Sequence, residues 1–324
     1  MMGGIAVLSN PRSGRNRRNP QLLQRLAWVL GDKGELAQPP DLDHLEDTVR
    51  QFRERDIDIL CVNGGDGTLH KVMSAVVRVY GAGKTGRALT QVQLPPIAIL
   101  RSGTVNTISR NIGLKMAAKP FLGHIVDAWQ SDAPLKTVER NVLVINHGEA
   151  SGFLFGTGVL SRFMEAYYAG GTTGPVKAVK VLSRAVLSSI LGTRFSTELF
   201  ARDPHRVTVD GEAWHAPDGY AAIAAATVND LGLGFRLFHA AKAHPDHVHV
   251  LGFPCGPLPV IRGLHRVYLN KPYNRPEDVY DQVARAFTIE ADQPLPFMMD
   301  GDFVRTQAHQ LHVQVGPRVR FVVP

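Results

Sequence analysis

Cys61-Val62-Asn63-Gly64-Gly65-Asp66-Gly67-Thr68-Leu69-His70-Lys71-Val72 decides the fold. An apolar run, Ile57 to Val62, stops at a glycine pair; an acid, a third glycine and a hydroxyl residue follow. Leu69, Val72, Met73, Val76 and Val77 then recur at the three- and four-residue spacing of one helix face. The stretch predicts strand, tight loop, helix. Glycine permits close backbone approach. The first N–H groups of a helix lack internal partners and sit at its positive end. Such a loop is a ready phosphate site. A plain turn with Thr68 or Asp66 as N-cap needs one polar side chain; it does not need three glycines.

Working outward, 324 residues predict about two domains, each able to bury a core. A hydrophobic fraction of 44% and a charged fraction of 20% are ordinary for a globular chain. No apolar run approaches the roughly 20 residues that cross a bilayer, and no basic segment precedes the first apolar stretch, so a secretory signal is not expected. Cys61 and Cys255 make neither a disulfide framework nor a zinc spacing. A cytoplasmic setting is expected. The net charge of +7 favours anionic partners, either nucleotide phosphates or lipid surfaces. Nucleic acid is not expected, because no basic stripe interleaved with aromatics occurs.

Two further junctions flank the central one. Ile5-Ala6-Val7-Leu8 reads as a strand running into Ser9-Asn10-Pro11-Arg12-Ser13-Gly14-Arg15. Pro95 to Leu100 reads as another, delivering Arg101-Ser102-Gly103-Thr104-Val105-Asn106-Thr107. In open α/β sheets the ligand crevice lies beyond the carboxyl ends of the strands. Three polar loops meeting there would make a nucleotide-phosphate site.

Asn10-Pro11-x-Ser13-Gly14, Gly64-Gly65-Asp66-Gly67-Thr68 and Gly103-Thr104-x-Asn106, in that order, resemble the diacylglycerol kinase catalytic-domain family, which includes bacterial soluble lipid kinases and sphingosine and ceramide kinases. The resemblance implies an N-terminal α/β nucleotide-binding domain, a C-terminal β-sandwich-like domain and an active site in the interdomain cleft. It implies an ATP-dependent lipid kinase, peripheral at the membrane, using Mg²⁺. The nucleotide would be held by Asn10, Ser13, Gly14, Gly64, Gly65, Asp66, Gly67, Thr68, Gly103, Thr104 and Asn106. Asp66 would also contact the metal. The chain departs from the family where His70-Lys71 replaces a common Asn-Glu pair and where Arg101-Ser102 replaces a common proline. An NAD kinase shares the central loop but expects that missing pair. A non-catalytic binding protein that kept the fold is the other alternative.

Composition shifts near Ala133-Pro134, which places a boundary between domains over 1–133 and 134–304, with the tail over 305–324 returning to the first. Gly170-Gly171 and Gly174-Pro175 predict a mobile loop. Val176 to Leu191 predicts an amphipathic helix with Ala178, Leu182, Ala185, Val186 and Ser189 near one face and Lys177, Lys180 and Arg184 on others; a core-packing helix with a solvated basic face is expected ahead of a membrane-contact helix. Phe195 to Val209 reads as strands and Tyr220 to Val228 as a buried strand. His239, His244, His247 and His249 cluster locally, but strand alternation explains His247 and His249 without a metal. The family's structural magnesium near this segment uses an Asp-Asp-Gly turn, of which only Asp246 remains. Two turns, Asp210-Gly211-Glu212 and Asp300-Gly301-Asp302, both read as hairpins. The resemblance separates them: Asp300 matches the family's catalytic aspartate, the base that accepts the hydroxyl proton, and Asp302 stands where an orienting glutamate is usual. Asp66 is the rival base.

Overall fold

The computed structural model describes residues 3–103, 106–169, 175–232, 234–272 and 278–324. Thr104 and the glycine-rich loop over 170–174 lie outside the described residues. The chain forms two compact units: Met1–Val142 with Gly148–Gly152 and Gly316–Pro324, and Leu143–His147 with Phe153–Val315.

The first unit is built on strands β1 (Ile5–Ser9), β2 (Gly34–Ala37), β3 (Ile59–Gly64) and β4 (Ile97–Arg101) and helices α1 (Gly14–Arg18), α2 (Gln21–Leu30), α3 (Leu42–Glu54), α4 (Asp66–Tyr80), α5 (Gly86–Thr90), α6 (Thr107–Asn111) and α7 (Ala118–Gln130). The strands are parallel in the order β2-β1-β3-β4. β1 and β3 are buried throughout, as near-continuous apolar runs in a parallel sheet require. α3 packs on α4 and α2 on α7. The apolar stripe of α4 read from the sequence is wholly buried, and Cys61 is a fully buried core residue. From β1 the chain steps outward to β2, then crosses back to β3 on the other side of β1. The loops after β1 and β3 therefore leave at a topological switch point.

The second unit takes in the end of β5 (Lys136–Ile145) and, beyond β6 (Ala150–Gly152), runs through β7 (Leu154–Gly156), α8 (Val159–Tyr168), α9 (Pro175–Leu191), α10 (Arg194–Leu199), β8 (Arg206–Val209), β9 (Glu212–Trp214), β10 (Ala222–Ala226), β11 (Val248–Phe253), α11 (Pro257–Tyr268), β12 (Tyr280–Ala284), β13 (Ala286–Glu290), β14 (Phe297–Met299), β15 (Asp302–Val304) and the first half of β16 (Gln310–Val323). One antiparallel sheet runs β12-β11-β10-β7-β14-β15; β8, β9, β13 and the first half of β16 pair in a second. Phe155 on β7 meets Phe287 on β13 edge-on, with ring centroids 5.6 Å apart, so the two sheets share a core. Gly252 on β11 is required by this packing, because a Cβ there would lie 2.6 Å from the Trp214 ring of β9.

One sequence expectation fails here. Phe195 to Val209 is not all strand: Arg194–Leu199 is helical, and only Arg206–Val209 extends. Ser188 decides this locally, since its hydroxyl accepts the Ser196 N–H at 2.9 Å and its carbonyl accepts the Ser196 hydroxyl at 3.0 Å, folding the segment onto the end of α9. The tail forms one strand that runs on through Gly316-Pro317.

Candidate active site

The three polar loops leave the adjacent carboxyl ends of β1, β3 and β4 and are tied to one another side chain by side chain. Asn10 in the first loop donates through Nδ2 to Thr68 Oγ1 in the second at 2.9 Å. Ser13 Oγ in the first meets Ser102 Oγ in the third at 3.1 Å, and the Arg15 N–H donates to the Ser102 carbonyl at 2.8 Å. Below them Asn63 Nδ2 donates to Ser9 Oγ at 2.8 Å. Neither Thr68 nor Asp66 caps its own helix: Gly65 is the N-cap of α4, and no side chain bonds there. The Asp66, Gly67 and Thr68 N–H groups therefore have no acceptor inside α4.

Asp66 reaches across to the third loop. Its Oδ2 accepts the Thr107 N–H at 2.8 Å and its Oδ1 the Ile108 N–H at 3.2 Å, capping α6 from another element. Burial pushes the Asp66 carboxyl above the usual carboxylate range, against the pull of those two donors and of Arg110. Asn106 holds the turn before α6 in the left-handed region at φ 54°, which asparagine tolerates better than most residues. Its amide accepts the Gly103 N–H at 3.2 Å and donates to the Gly103 carbonyl at 2.8 Å.

Three of the glycines also sit where the loops pack closely. A Cβ on Gly65 would lie 3.0 Å from the Gly103 Cα; one on Gly103 would lie 2.4 Å from the Gly65 Cα and 2.9 Å from Asn106 Oδ1. A Cβ on Gly64 would meet the Thr68 side chain at 2.3 Å. The second and third loops thus touch backbone to backbone.

Sequence reasoning missed Arg110. It lies on α6 within electrostatic reach of Asp66, and with Arg15 it crowds Arg101. Burial first, then those two like charges, push the Arg101 guanidinium below its ordinary range, and its Nε has no partner among the described residues. Three neighbouring cations, one of them beside Asp66, suit an anion. A basic residue on the first turns after the third loop was the available signal. His70 is buried on α4, with Nδ1 3.1 Å from the Ser151 carbonyl of β6, whereas Lys71 is exposed.

In the second unit Asp300 and Gly301 have φ values of 49° and 88°, the two positive angles of a type I′ hairpin, here joining β14 to β15. Asp210 and Gly211 repeat the geometry at 47° and 91° between β8 and β9. Both aspartates accept backbone N–H groups from a neighbouring strand. Asp300 Oδ1 takes Phe153 and Leu154, each at 2.9 Å; Asp210 Oδ1 takes Arg285 and Ala286, each also at 2.9 Å. Burial distinguishes them: Asp300 is buried and Asp210 is exposed. Asp302 Oδ1 lies 3.3 Å from the Tyr168 hydroxyl, which also donates to the Gly301 carbonyl at 3.0 Å.

Residues 4–138 match the family model of the diacylglycerol kinase catalytic domain. Among curated proteins, none matches the sequence. A crystal structure of a candidate diacylglycerol kinase from Bacillus anthracis str. Sterne is similar at TM-score 0.71 and 15% identity, covering 99% of this chain and 97% of that one. A second, of a diacylglycerol kinase from the same organism, gives 0.63 and 13% with the same coverage. At these identities the likeness is one of fold. Residues 4–138 are thus similar to the diacylglycerol kinase catalytic domain, and the chain as a whole has the fold of those structures.

Proposed function

We propose that the protein is an ATP-dependent lipid kinase that transfers the γ-phosphate to a hydroxyl of a membrane lipid, of the diacylglycerol or sphingoid kind. The observation that carries this reading is the convergence of three mutually bonded loops on the open N-terminus of α4, with Arg15, Arg101 and Arg110 beside them. In this reading the loops cradle the nucleotide phosphates through Asn10, Ser13, Gly14, Gly64, Gly65, Gly67, Thr68, Gly103, Thr104 and Asn106. Phosphoryl transfer needs positioning and charge neutralisation more than covalent help. Mg²⁺ would supply that neutralisation. It keeps several waters and binds few carboxylates directly. Asp66 fits it through water, because each of its oxygens already accepts a backbone N–H. Asp300 is the base that takes the hydroxyl proton, and Asp302 positions its turn through Tyr168.

The second unit supplies the lipid side. α9 buries Ala185, Ser188 and Ser189, so one face packs as the sequence predicts. Its opposite face is apolar rather than simply basic: Val176, Val179, Leu187, Ile190 and Leu191 are exposed, as are Leu258, Tyr268 and Leu269 in and just after α11. Lys180, Arg184 and Arg262 are exposed on the same helices. Apolar side chains among cations suit an anionic bilayer surface. Among the described residues no helix is long and apolar enough to cross a membrane. The double variant Leu187→Glu, Ile190→Glu is expected to lose at least tenfold in sedimentation with phosphatidylglycerol vesicles. Its turnover on detergent-dispersed lipid should hold. Unchanged vesicle binding would remove this face from the reading.

The deciding assay is ADP release from Mg-ATP with vesicles containing diacylglycerol, sphingoid base, ceramide or phosphatidylglycerol, and separately with NAD. Lipid-dependent release supports the proposal. Release with NAD alone favours an NAD kinase. No release, with ATP bound, leaves the non-catalytic binding protein.

A further inference from the structure

The connection between β10 and β11, residues 227–247, has no helix or strand among its described residues. Structureless loops longer than about 12–15 residues are uncommon in compact domains and are usually functional or linker segments. His239 lies on this connection, and it meets two residues of the sheet edge. His249 on β11 and Asp281 on β12 sit two positions out of register on neighbouring strands: Leu251 pairs with Asp281, and His249 pairs with Val283. Strand alternation therefore puts both side chains on one face of the sheet. It is the face away from Trp214, which packs over Gly252, Tyr280 and Gln282.

The polar atoms converge. His249 Nε2 is 2.7 Å from Asp281 Oδ1, His239 Nδ1 is 3.9 Å from Asp281 Oδ2, and one ligand atom from each residue lies within 4.8 Å of the others. The two imidazoles meet edge to face with centroids 4.7 Å apart. Tetrahedral zinc with bonds of about 2.0–2.1 Å separates its ligand atoms by about 3.3 Å; the histidine nitrogens lie 2.7 and 3.9 Å from the two Asp281 oxygens, one on each, so small side-chain adjustments reach that spacing. The His249 side chain is fully buried, with Phe238 edge-on against it at 5.9 Å. Its Nδ1 has no partner among the described residues, so the ring is anchored on the Nε2 side alone. The His239 and Asp281 side chains keep 22% and 30% of their surface exposed, which leaves an open side for a water.

We propose that His239, His249 and Asp281 bind a zinc-class divalent cation that pins the β10–β11 connection to the edge of the sheet. Two imidazole nitrogens and one carboxylate select zinc, cobalt or nickel over magnesium or calcium, which prefer all-oxygen sets. His239 and His249 were part of the local histidine cluster in the sequence. Asp281, which completes the set, is supplied only by strand pairing. The site is independent of the kinase reading.

The test is Co²⁺ titration of the untagged, EDTA-treated full chain, followed by visible absorption, with Zn²⁺ calorimetry alongside. One site per chain with tetrahedral Co²⁺ bands is expected, displaced by Zn²⁺ and not by Mg²⁺. His239→Ala and Asp281→Asn, each at a partly exposed position, should weaken binding at least 100-fold while the apo proteins still fold. His244→Ala/His247→Ala, removing the neighbouring pair whose rings lie 5.9 Å apart, should leave binding unchanged. Zn²⁺ should raise the melting temperature of the wild type and of that control only. Absence of one-to-one binding in the wild type, or its survival in both His239→Ala and Asp281→Asn, overturns the proposal.

Discussion

Asp300→Asn is expected to lower kcat for lipid phosphorylation by about 10²–10⁴, the usual contribution of a positioned general base. Mg-ATP affinity and melting temperature should stay near wild type. The asparagine oxygen can still accept the Phe153 and Leu154 N–H groups that Asp300 Oδ1 takes at 2.9 Å. Asparagine also tolerates the left-handed backbone at φ 49°. What the substitution removes is the ability to take a proton. Asp300→Ala should behave differently: it strips an acceptor from two buried N–H groups, at about 1–3 kcal/mol each, and places alanine where φ is positive. That variant should melt earlier as well as turn over slowly. Asp210→Asn is the matched control, with the same turn and the same pair of backbone donors but an exposed position, and its turnover should be unchanged. Wild-type turnover in Asp300→Asn would leave the hairpin as the whole duty of Asp300 and return the base role to Asp66.

The difference between those two aspartates shows where the sequence stops being legible. Asp-Gly specifies the turn, because both central residues need positive φ, and both turns form where the residues say. Burial of one aspartate and exposure of the other depends on β7 lying beside β14, a pairing between segments far apart in the chain. The loops after β1, β3 and β4 were readable for a similar reason: glycine and small polar residues after an apolar run report local backbone needs. Their mutual bonds were not. Asp66 looks like a cap for its own helix or a metal ligand, and only tertiary structure sends it to the Thr107 and Ile108 N–H groups. β2 escaped because it is a short, half-exposed edge strand with little apolar signal. Arg194–Leu199 escaped because apolar spacing over so few residues cannot tell one helical turn from a strand. α9 was read correctly on its packing face. The exposed apolar residues opposite are hard to weigh in the sequence, because the lysines and arginine between them fit a solvated face as well as a membrane-contact one.

Gly103→Ala is expected to weaken ATP binding more than Gly65→Ala does, an order that a phosphate-clearance argument centred on Gly65 would not give. A Cβ on Gly103 would lie 2.4 Å from the Gly65 Cα and 2.9 Å from Asn106 Oδ1; one on Gly65 would lie 3.0 Å from the Gly103 Cα alone. Backbone cannot rotate aside as a side chain can, so Gly103→Ala must part the second and third loops. Overpacking of this kind typically costs about 1–3 kcal/mol. Parting the loops strains the bonds that cross between them, Asp66 to Thr107 and Ile108 and Ser102 N–H to the Gly64 carbonyl. Those bonds hold the second and third loops together beside the open N-terminus of α4. The expected result is at least a tenfold rise in the dissociation constant for ATP with a lowered melting temperature, and a smaller rise for Gly65→Ala. If Gly65→Ala proves the worse variant for ATP while its melting temperature is unchanged, the glycine there is making room for phosphate. Equal wild-type affinity in both would mean that the junction of the two loops is not where the nucleotide sits.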